Sequence, residues 1–271
     1  MLKQRLISSF SLWSLLLAIL CLLKTNGVVL LTACFSVLAQ YELSKLVKAG
    51  RQQTLFDIIF TCIFIFSYYI CSFHCYCTSD ILYALALIVI STWSIFVGKT
   101  ARSFFLSLFD FWYITFNLHF FLKILDLYQW DYTVSLTCLI WIILVTKMTD
   151  VGGFVFGCTL GKHLLAPMVS PKKTWEGVFG GIALALMGNI AYYVLFTKYF
   201  GDSFTFFKSL VFTIIISWCA IISDLLESLI KRQLQTKDSG KIIPGIGGVL
   251  DLVDSLLISA PVAYVLFKNF G

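Results

Sequence analysis

Charge is scarce in this sequence. Only 13% of its 271 residues are Asp, Glu, Lys or Arg, whereas 59% are hydrophobic and 17% are aromatic. A soluble domain of this length needs more polar surface than these residues can supply. The composition therefore excludes an ordinary soluble protein and indicates a polytopic integral membrane protein.

Long apolar runs predict an all-α fold. A helix needs about 20 apolar residues to cross the roughly 30 Å hydrocarbon layer, and about nine segments qualify. They lie roughly at residues 10–23, 28–44, 55–73, 81–98, 104–125, 132–149, 178–197, 209–226 and 249–267. The first follows Lys3 and Arg5 as in a signal peptide, but residues 21–27 offer no small-x-small cleavage site. We therefore expect this span to be retained.

Lys and Arg are unevenly divided between the two sides of this topology. With a cytoplasmic amino terminus, fifteen lie on the inner side and four on the outer side, with Lys123 left uncounted. The positive-inside rule then predicts that the amino terminus and the charged loops face the cytoplasm. The net charge of +6 suits anionic lipid headgroups rather than nucleic acid. The small size and the lack of a targeting extension favour a bacterial inner (cell) membrane.

The sequence has no repeat, no low-complexity tract and no soluble domain. We predict two regions: transmembrane helices over residues 1–145, and a catalytic membrane region over residues 146–271. Some polar residues of the first region lie within predicted spans, namely Asp57, Asp110, Asn117 and His119. Ionisable groups at membrane depth are functional candidates. Alternatively, Asp57 lies near a span end and Asp110 pairs within the bundle.

The nine cysteines form no regular pattern. Six sit singly in apolar segments, where free cysteine behaves as a small hydrophobe. Cys71, His74, Cys75 and Cys77 are enough soft ligands for zinc, but no second ligand pair follows at the usual spacing. The alternative is a set of incidental or disulfide-capable thiols on the outer face.

Residues 147–163 are rich in glycine. They include Gly152, Gly153, Gly157 and Gly161 and are too few for another full span. Irregular backbone at membrane depth is tolerated where it is buried or lines a wet cavity. The pattern predicts a broken or re-entrant segment with Asp150 facing that cavity. The alternative is an inner loop in which Asp150 caps a helix.

A basic segment follows at residues 170–177. Ser170 is suited to cap a helix whose first position is Pro171. Lys172 and Lys173 would then lie where exposed amides already favour an anion, so the segment predicts a phosphate site. The alternative is a juxtamembrane basic turn anchored by Trp175.

Five acidic and four basic residues are concentrated between Ser223 and Ala260. Asp224, Glu227, Ser228 and Lys231 are spaced by three and four, which places them on one helix face. A glycine-rich turn at residues 244–248 then opens the last helix. There Asp251 and Asp254 lie one turn apart, an arrangement that suits Mg²⁺ bridging to substrate phosphates.

These residues resemble the signature of the phosphatidate cytidylyltransferases, the CDP-diacylglycerol synthases. The resemblance rests on residues 228–254, which we call the signature segment: Ser228, Lys231, Arg232, Lys237, Asp238, Ser239, Gly240, Pro244, Gly245, Gly247, Gly248, Asp251 and Asp254. It extends to Asp150, Gly152, Gly161, Lys162 and residues 170–177, and more weakly to residues 2–8. Two positions depart from the family pattern, which usually has His at Ile246 and Arg at Leu252.

The resemblance implies cytidylyl transfer from CTP to phosphatidic acid, with Mg²⁺ and a monovalent cation such as K⁺ as cofactors. The implied metal ligands are Asp224, Asp251 and Asp254. The other implied catalytic residues are Lys231, Arg232, Lys237 and Asp238. The implied substrate-binding residues are Asp150, Ser170, Lys172, Lys173, Ser228, Gly245, Gly247 and Gly248.

The implied partners are CTP, phosphatidic acid and membrane lipid, with a homodimer as a candidate assembly. Two other functions stay open. One is a CTP-dependent enzyme with another lipid acceptor. The other is a catalytically silent relative that binds or transports lipid, for which Ile246 and Leu252 are the motivation.

Overall fold

The computed structural model describes residues 2–72, 79–93, 100–128, 131–200, 204–236, 239–240 and 247–270. Within them the chain is almost entirely helical, which confirms the all-α prediction. The first six helices are α1 (Leu2–Leu46), α2 (Arg51–Ile70), α3 (Ser79–Trp93), α4 (Ala101–Asp110), α5 (Phe116–Leu118) and α6 (Phe120–Leu127). A π-helical turn at Phe111–Thr115 joins α4 to α5.

The remaining elements are four long helices and a small hairpin. The helices are α7 (Tyr132–Leu160), α8 (Trp175–Phe196), α9 (Phe206–Gln233) and α10 (Leu250–Phe270). Strands β1 (Leu164–Ala166) and β2 (Ser170–Thr174) pair antiparallel, with Leu164 opposite Thr174 and Ala166 opposite Ser170. A 3₁₀ turn at Thr197–Tyr199 follows α8.

Seven helices are long and apolar enough to cross a membrane, counted over the described residues. A shorter apolar helix lies at Leu82–Trp93. These spans support an integral membrane protein, although the predicted count of about nine is not confirmed. The first two predicted spans both lie within α1, where Lys24 has a non-helical φ of 49°. A kink, rather than a connecting loop, separates them.

The chain divides into two compact units. Unit 1 comprises Met1–Leu122 and Asp238–Val253, and unit 2 comprises Lys123–Lys237 and Asp254–Gly271. The division at residue 145 that the sequence suggests stays a prediction.

Unit 1 contains hydrogen bonds between buried polar side chains of different helices. Thr61 Oγ1 donates to Gln40 Oε1 at 2.7 Å, and Ser44 Oγ donates to Asp110 Oδ2 at 3.3 Å. In addition, Nε2 of the buried His119, between α5 and α6, lies 2.7 Å from the hydroxyl of the half-buried Tyr83 on α3. Such contacts join helices where water is absent. Asp110 therefore pairs within the bundle, as one of the two interpretations expects.

In unit 2, α7 begins after Asp131. The Asp131 carboxylate accepts a hydrogen bond from the Thr133 amide at 2.7 Å, and this bond holds the pKa of Asp131 below its usual range. Farther along α7, the indole of Trp141 donates to Asn189 Oδ1 on α8 at 2.6 Å, and both side chains are buried. This bond fixes how α7 and α8 lie against each other.

Residues 147–160 of the glycine-rich segment continue α7, so the prediction of a broken or re-entrant segment is wrong. The alternative, an inner loop in which Asp150 caps a helix, is also wrong, because Asp150 lies inside α7. A Cβ at Gly152 would lie 2.8 Å from Gly180 O, and one at Gly181 would lie 2.7 Å from Thr149 O. The glycines therefore allow the backbones of α7 and α8 to approach closely, as small residues do in membrane helices.

Candidate active site

Three carboxylates of unit 2 come together and form what we call the acidic cluster. Asp224 and Glu227 lie three residues apart on α9 and therefore share a face, and Asp254 comes from α10. One oxygen from each lies within 4.8 Å of the others. Glu227 and Asp254 are buried, whereas the Asp224 side chain is about a third exposed. These are hard oxygen ligands of the kind that Mg²⁺ prefers.

Two lysines neutralise members of the acidic cluster. Lys173 Nζ lies 2.6 Å from Asp224 Oδ2, and Lys231 Nζ lies 2.6 Å from Glu227 Oε2. Burying a carboxylate is expensive unless it is paired and hydrogen-bonded. The lysine therefore makes the buried position of Glu227 tolerable.

Hydrogen bonds between α9 and α10 fix the position of Asp254. The Ser223 hydroxyl donates to the main-chain oxygen of Asp254 and accepts from the Ile258 amide at 3.3 Å. Ser223 is fully buried. The backbone that presents the third carboxylate is therefore anchored to the helix that carries the other two.

Asp150 belongs to a second polar group in unit 2. Lys147 Nζ donates to Asp150 Oδ2 at 3.2 Å and to Ser255 Oγ at 2.9 Å. Ser255 Oγ in turn donates to the same Asp150 oxygen at 2.9 Å. Asp150 and Lys147 thus join α7 to Ser255 of α10, the residue that follows Asp254.

Residues 170–174 of the basic segment form strand β2, so Ser170 does not cap a helix. The chain stays extended through Pro171, because Ser170 and Thr174 pair with β1. Thr174 caps α8 instead, since its hydroxyl accepts from the Gly177 amide at 3.2 Å. Lys172 is exposed, whereas Lys173 is half-buried and reaches Asp224.

Two further contacts hold the hairpin. Arg232 Nε donates to Val169 O at 3.4 Å, so the end of α9 contacts the turn between the strands. Glu176 accepts from the amides of Lys162 and His163 and lies 2.6 Å from His163 Nδ1. These contacts therefore fix both ends of the hairpin whose second strand carries Lys172 and Lys173.

Asp251 lies in unit 1, as do Gly247 and Gly248. Its Oδ2 atom accepts from the Gly248 amide at 2.9 Å and from the Ser239 amide at 3.3 Å. Gly247 has a φ of +127°, a conformation that L side chains rarely adopt. Asp251 thus contacts the backbone of the signature segment on both sides of residues 240–247.

Of the remaining candidate site residues, the structure describes some and others lie outside its described part. Ser228 is half-buried on α9. Lys237, Asp238, Gly245 and the departure at Ile246 lie outside the described residues, as do His74, Cys75 and Cys77 of the zinc hypothesis. The proposed roles of these residues stay predictions.

The comparison with known proteins decides the family. A sequence profile described as "Cytidylyltransferase family" matches residues 3–270. This chain belongs to that family.

Curated relatives of this cytidylyltransferase-family chain are named phosphatidate cytidylyltransferase. The protein of Staphylococcus saprophyticus is 39% identical over 123 residues, which are 45% of this chain and 46% of that protein. The Bacillus subtilis protein is 36% identical over 159 residues, 59% of this chain and 56% of that protein. The Helicobacter pylori protein is 44% identical over 123 residues, 45% and 44% of the two chains. The chain thus spans about half the length of the curated relatives it matches.

Two residues of the site, Glu227 in the acidic cluster and Lys147 beside Asp150, are not among the candidates that the sequence of this cytidylyltransferase-family chain identifies. The sequence spacing places Glu227 on a polar helix face but not among the metal ligands, and it gives Lys147 no role beyond the count of charges on the inner side. Both carried a usable signal, since Glu227 lies three residues after Asp224 and Lys147 three before Asp150. Their importance depends on contacts with α10, which spacing within one helix does not reveal.

Proposed function

We propose that this protein transfers a cytidylyl group from CTP to phosphatidic acid, producing CDP-diacylglycerol and pyrophosphate. The observation that carries the proposal is the acidic cluster, with its two lysines, in a membrane protein of the cytidylyltransferase family. The names of the curated relatives support phosphatidic acid as the acceptor.

The proposed reaction is a displacement at the α-phosphorus of CTP. An oxygen of the phosphatidic acid phosphate forms the new P–O bond, the bond from the α-phosphorus to the α,β-bridging oxygen breaks, and pyrophosphate leaves. A phosphomonoester is largely dianionic at neutral pH, because its second pKa is about 6. The attacking oxygen therefore needs no protein base, and the protein acts by positioning the substrates and neutralising their charge.

Mg²⁺ is the proposed cofactor, and the donor set fits it. Asp224, Glu227 and Asp254 would hold the ion in unit 2, because they offer three carboxylates within 4.8 Å. Bound there, Mg²⁺ would stabilise negative charge on the reacting phosphates. The signature resemblance also implies Asp251 as a ligand, and it implies a monovalent cation such as K⁺; both stay part of the proposal.

The chain's cations have the proposed role of neutralising the phosphates. Lys173 and Lys231 already pair with the acidic cluster, and Arg232 contacts the hairpin that carries Lys172. Entry of an anionic substrate would give these cations additional partners. Charge neutralisation of this kind is the main contribution of proteins to phosphoryl transfer.

The proposed setting is a bacterial inner membrane with the active site facing the cytoplasm, where CTP is available. The Lys and Arg count of fifteen to four supports this orientation. The proposed partners are CTP, phosphatidic acid and membrane lipid, without nucleic acid. A homodimer is the assembly to test, by measuring the mass of the purified protein in micelles.

Pyrophosphate release tests the proposed function. The purified protein in detergent–lipid micelles is given CTP with and without phosphatidic acid and Mg²⁺. We expect release only when all three are present, together with a CDP-lipid product. Release with a different lipid instead would identify another acceptor. A folded protein that binds phosphatidic acid but never releases pyrophosphate would be the silent relative to which Ile246 and Leu252 point.

A further inference from the structure

Glu42 is a buried carboxylate that the reaction proposed above does not use. It lies near the end of α1, in unit 1, and is only 2% exposed. Its Oε1 atom accepts no hydrogen bond from the residues that the structure describes. Burying a carboxylate oxygen that accepts no hydrogen bond costs free energy of folding. Packing between helices does not require a charged side chain, so the hydrogen-bond partners of Glu42 indicate its role.

Those partners are both in the signature segment. Glu42 Oε2 accepts from the Leu250 amide at 2.8 Å and from Ser239 Oγ at 3.4 Å. Leu250 is the first residue of α10, so its amide has no acceptor within its own helix. A negative side chain at a helix amino terminus is also favourable for the helix dipole. Glu42 thus caps α10 from a helix about two hundred residues earlier in the chain.

Two glycines of the signature segment make room for this carboxylate. A Cβ at Gly240 would lie 2.2 Å from Glu42 Oε1 and 2.7 Å from Glu42 Cδ. A Cβ at Gly248 would lie 2.5 Å from Glu42 Oε2 and 2.1 Å from Ser239 Oγ. Gly240 does not have the positive φ that would itself exclude alanine. The three atoms nearest to such a Cβ all belong to Glu42, so the absence of a side chain at Gly240 leaves room for the Glu42 carboxylate.

Asp251 completes the arrangement from within the segment. It accepts from the Ser239 and Gly248 amides, while Glu42 accepts from the Ser239 hydroxyl and the Leu250 amide. Ser239 is therefore bound through both its side chain and its backbone. The two carboxylates together hold residues 239–240 and 248–250 beside each other.

We propose that Glu42 is a positioning residue, which sets the backbone of the signature segment at residues 239–240 and 248–250 for cytidylyl transfer. The proposal rests on the proposed function for its kinetic consequences. Glu42 acts as a hydrogen-bond acceptor and does not itself touch substrate. Its loss should therefore lower kcat and leave the KM for CTP nearly unchanged.

The first test compares Glu42→Ala and Glu42→Gln with the wild-type protein in the pyrophosphate assay. Glu42→Ala should lower kcat about 10–100-fold, the usual effect of losing a group that orients an active site. Glu42→Gln keeps an oxygen acceptor for Leu250 and should recover kcat to within about fivefold of wild type, with the KM for CTP within about threefold in each variant. Wild-type kcat in a folded Glu42→Ala protein, or an inactive but folded Glu42→Gln protein, would overturn the proposal.

The second test is a double-mutant cycle between Glu42 and Gly240. Gly240→Ala should lower both kcat and the unfolding temperature when Glu42 is present, because the new methyl group meets its carboxylate. It should cost little further in the Glu42→Ala background, where that carboxylate is absent. Gly50→Ala is the control, since a Cβ there meets nothing within 4 Å. Equal effects of Gly240→Ala in both backgrounds would overturn the proposal.

The two proposals can fail separately. If the wild-type protein releases no pyrophosphate under any condition, the proposed function fails. The unfolding temperatures of the wild type, the two single variants Glu42→Ala and Gly240→Ala, and the double variant then still decide whether Glu42 holds the signature segment at Gly240. Additive changes would reject the positioning role, whereas a Gly240→Ala effect that depends on Glu42 would support it.

Discussion

Lys173 Nζ lies 2.6 Å from Asp224 Oδ2, so a lysine of the β-hairpin neutralises a carboxylate of the acidic cluster. Both side chains are partly exposed, at 24% and 32%. Lys173 therefore competes with any cation that binds Asp224, and a substrate phosphate would compete with Asp224 for the lysine. The hairpin thus links the proposed phosphate and metal sites of unit 2.

Lys173→Met should lower the Mg²⁺ concentration needed for half-maximal activity. Removing a positive charge beside the acidic cluster favours a bound cation, by about fivefold if this partly exposed pair is worth about 1 kcal/mol. Maximal turnover should fall, because the lysine no longer neutralises phosphate. Mg²⁺ titrations of pyrophosphate release measure both effects. Lys172→Met is the control for Mg²⁺ dependence, since Lys172 is exposed on the same strand. An equal change in both variants would argue against the specific role of the Lys173 pair.

Glu227→Gln and Asp251→Asn distinguish two sets of metal ligands. If Asp224, Glu227 and Asp254 hold Mg²⁺, Glu227→Gln should raise the half-saturating Mg²⁺ concentration at least about tenfold. Even the loss of a residue that only hydrogen-bonds to a metal ligand weakens metal binding by this much. Asp251→Asn should instead reduce turnover with little change in the Mg²⁺ requirement, because Asp251 Oδ2 already accepts from two amides. The reverse pattern would favour Asp251 as the ligand.

Gly152→Ala should destabilise unit 2. The added methyl group would lie 2.8 Å from the backbone of Gly180 and Gly181, and backbone atoms cannot turn aside as a flexible side chain can. Overpacking of this kind costs about 1–3 kcal/mol in the free energy of unfolding. Gly153→Ala is the matched control, because its Cβ would approach only Gly177 O, at 3.8 Å. Thermal unfolding in detergent measures the difference, and equal stability of the two variants would contradict the close approach of α7 and α8.

Thr174→Val should destabilise the start of α8, whereas Ser170→Ala should have a smaller effect. Valine keeps the shape of threonine but cannot accept from the Gly177 amide, and loss of such a cap costs about 1 kcal/mol. Unfolding temperatures of the two variants decide between Thr174 and Ser170 as the cap. A larger loss from Ser170→Ala would restore the helix start that the Ser-Pro pattern suggests.

Local patterns were sufficient for much of the fold and for part of the site. Apolar runs of about 20 residues located most of the long helices, because length and hydropathy alone determine which segments suit a bilayer. The spacing of Asp224, Glu227 and Lys231 placed them on one helix face for the same local reason. Lys24 shows the limit, since the two predicted spans are separated only by a kink at this residue within α1.

The glycine-rich segment and the hairpin could not be predicted from local preference. Glycine often interrupts helices, so residues 147–163 suggested a break; instead, most of the segment continues α7, whose glycines pack against α8. Ser followed by Pro is a favourable start for a helix, but pairing of Ser170 with Ala166 keeps the chain extended. In both cases a partner elsewhere in the chain outweighs the local tendency.

The sequence by itself determined the membrane class, the positions of most long helices and the family signature, because composition, hydropathy and motif spacing are local properties. The tertiary structure alone decided that Glu227 joins Asp224 and Asp254, and that Glu42 caps the helix carrying Asp251. These contacts join residues far apart in the chain. The physical reason is that a buried carboxylate requires a donor or a cation, and only the packed helices determine which group supplies it.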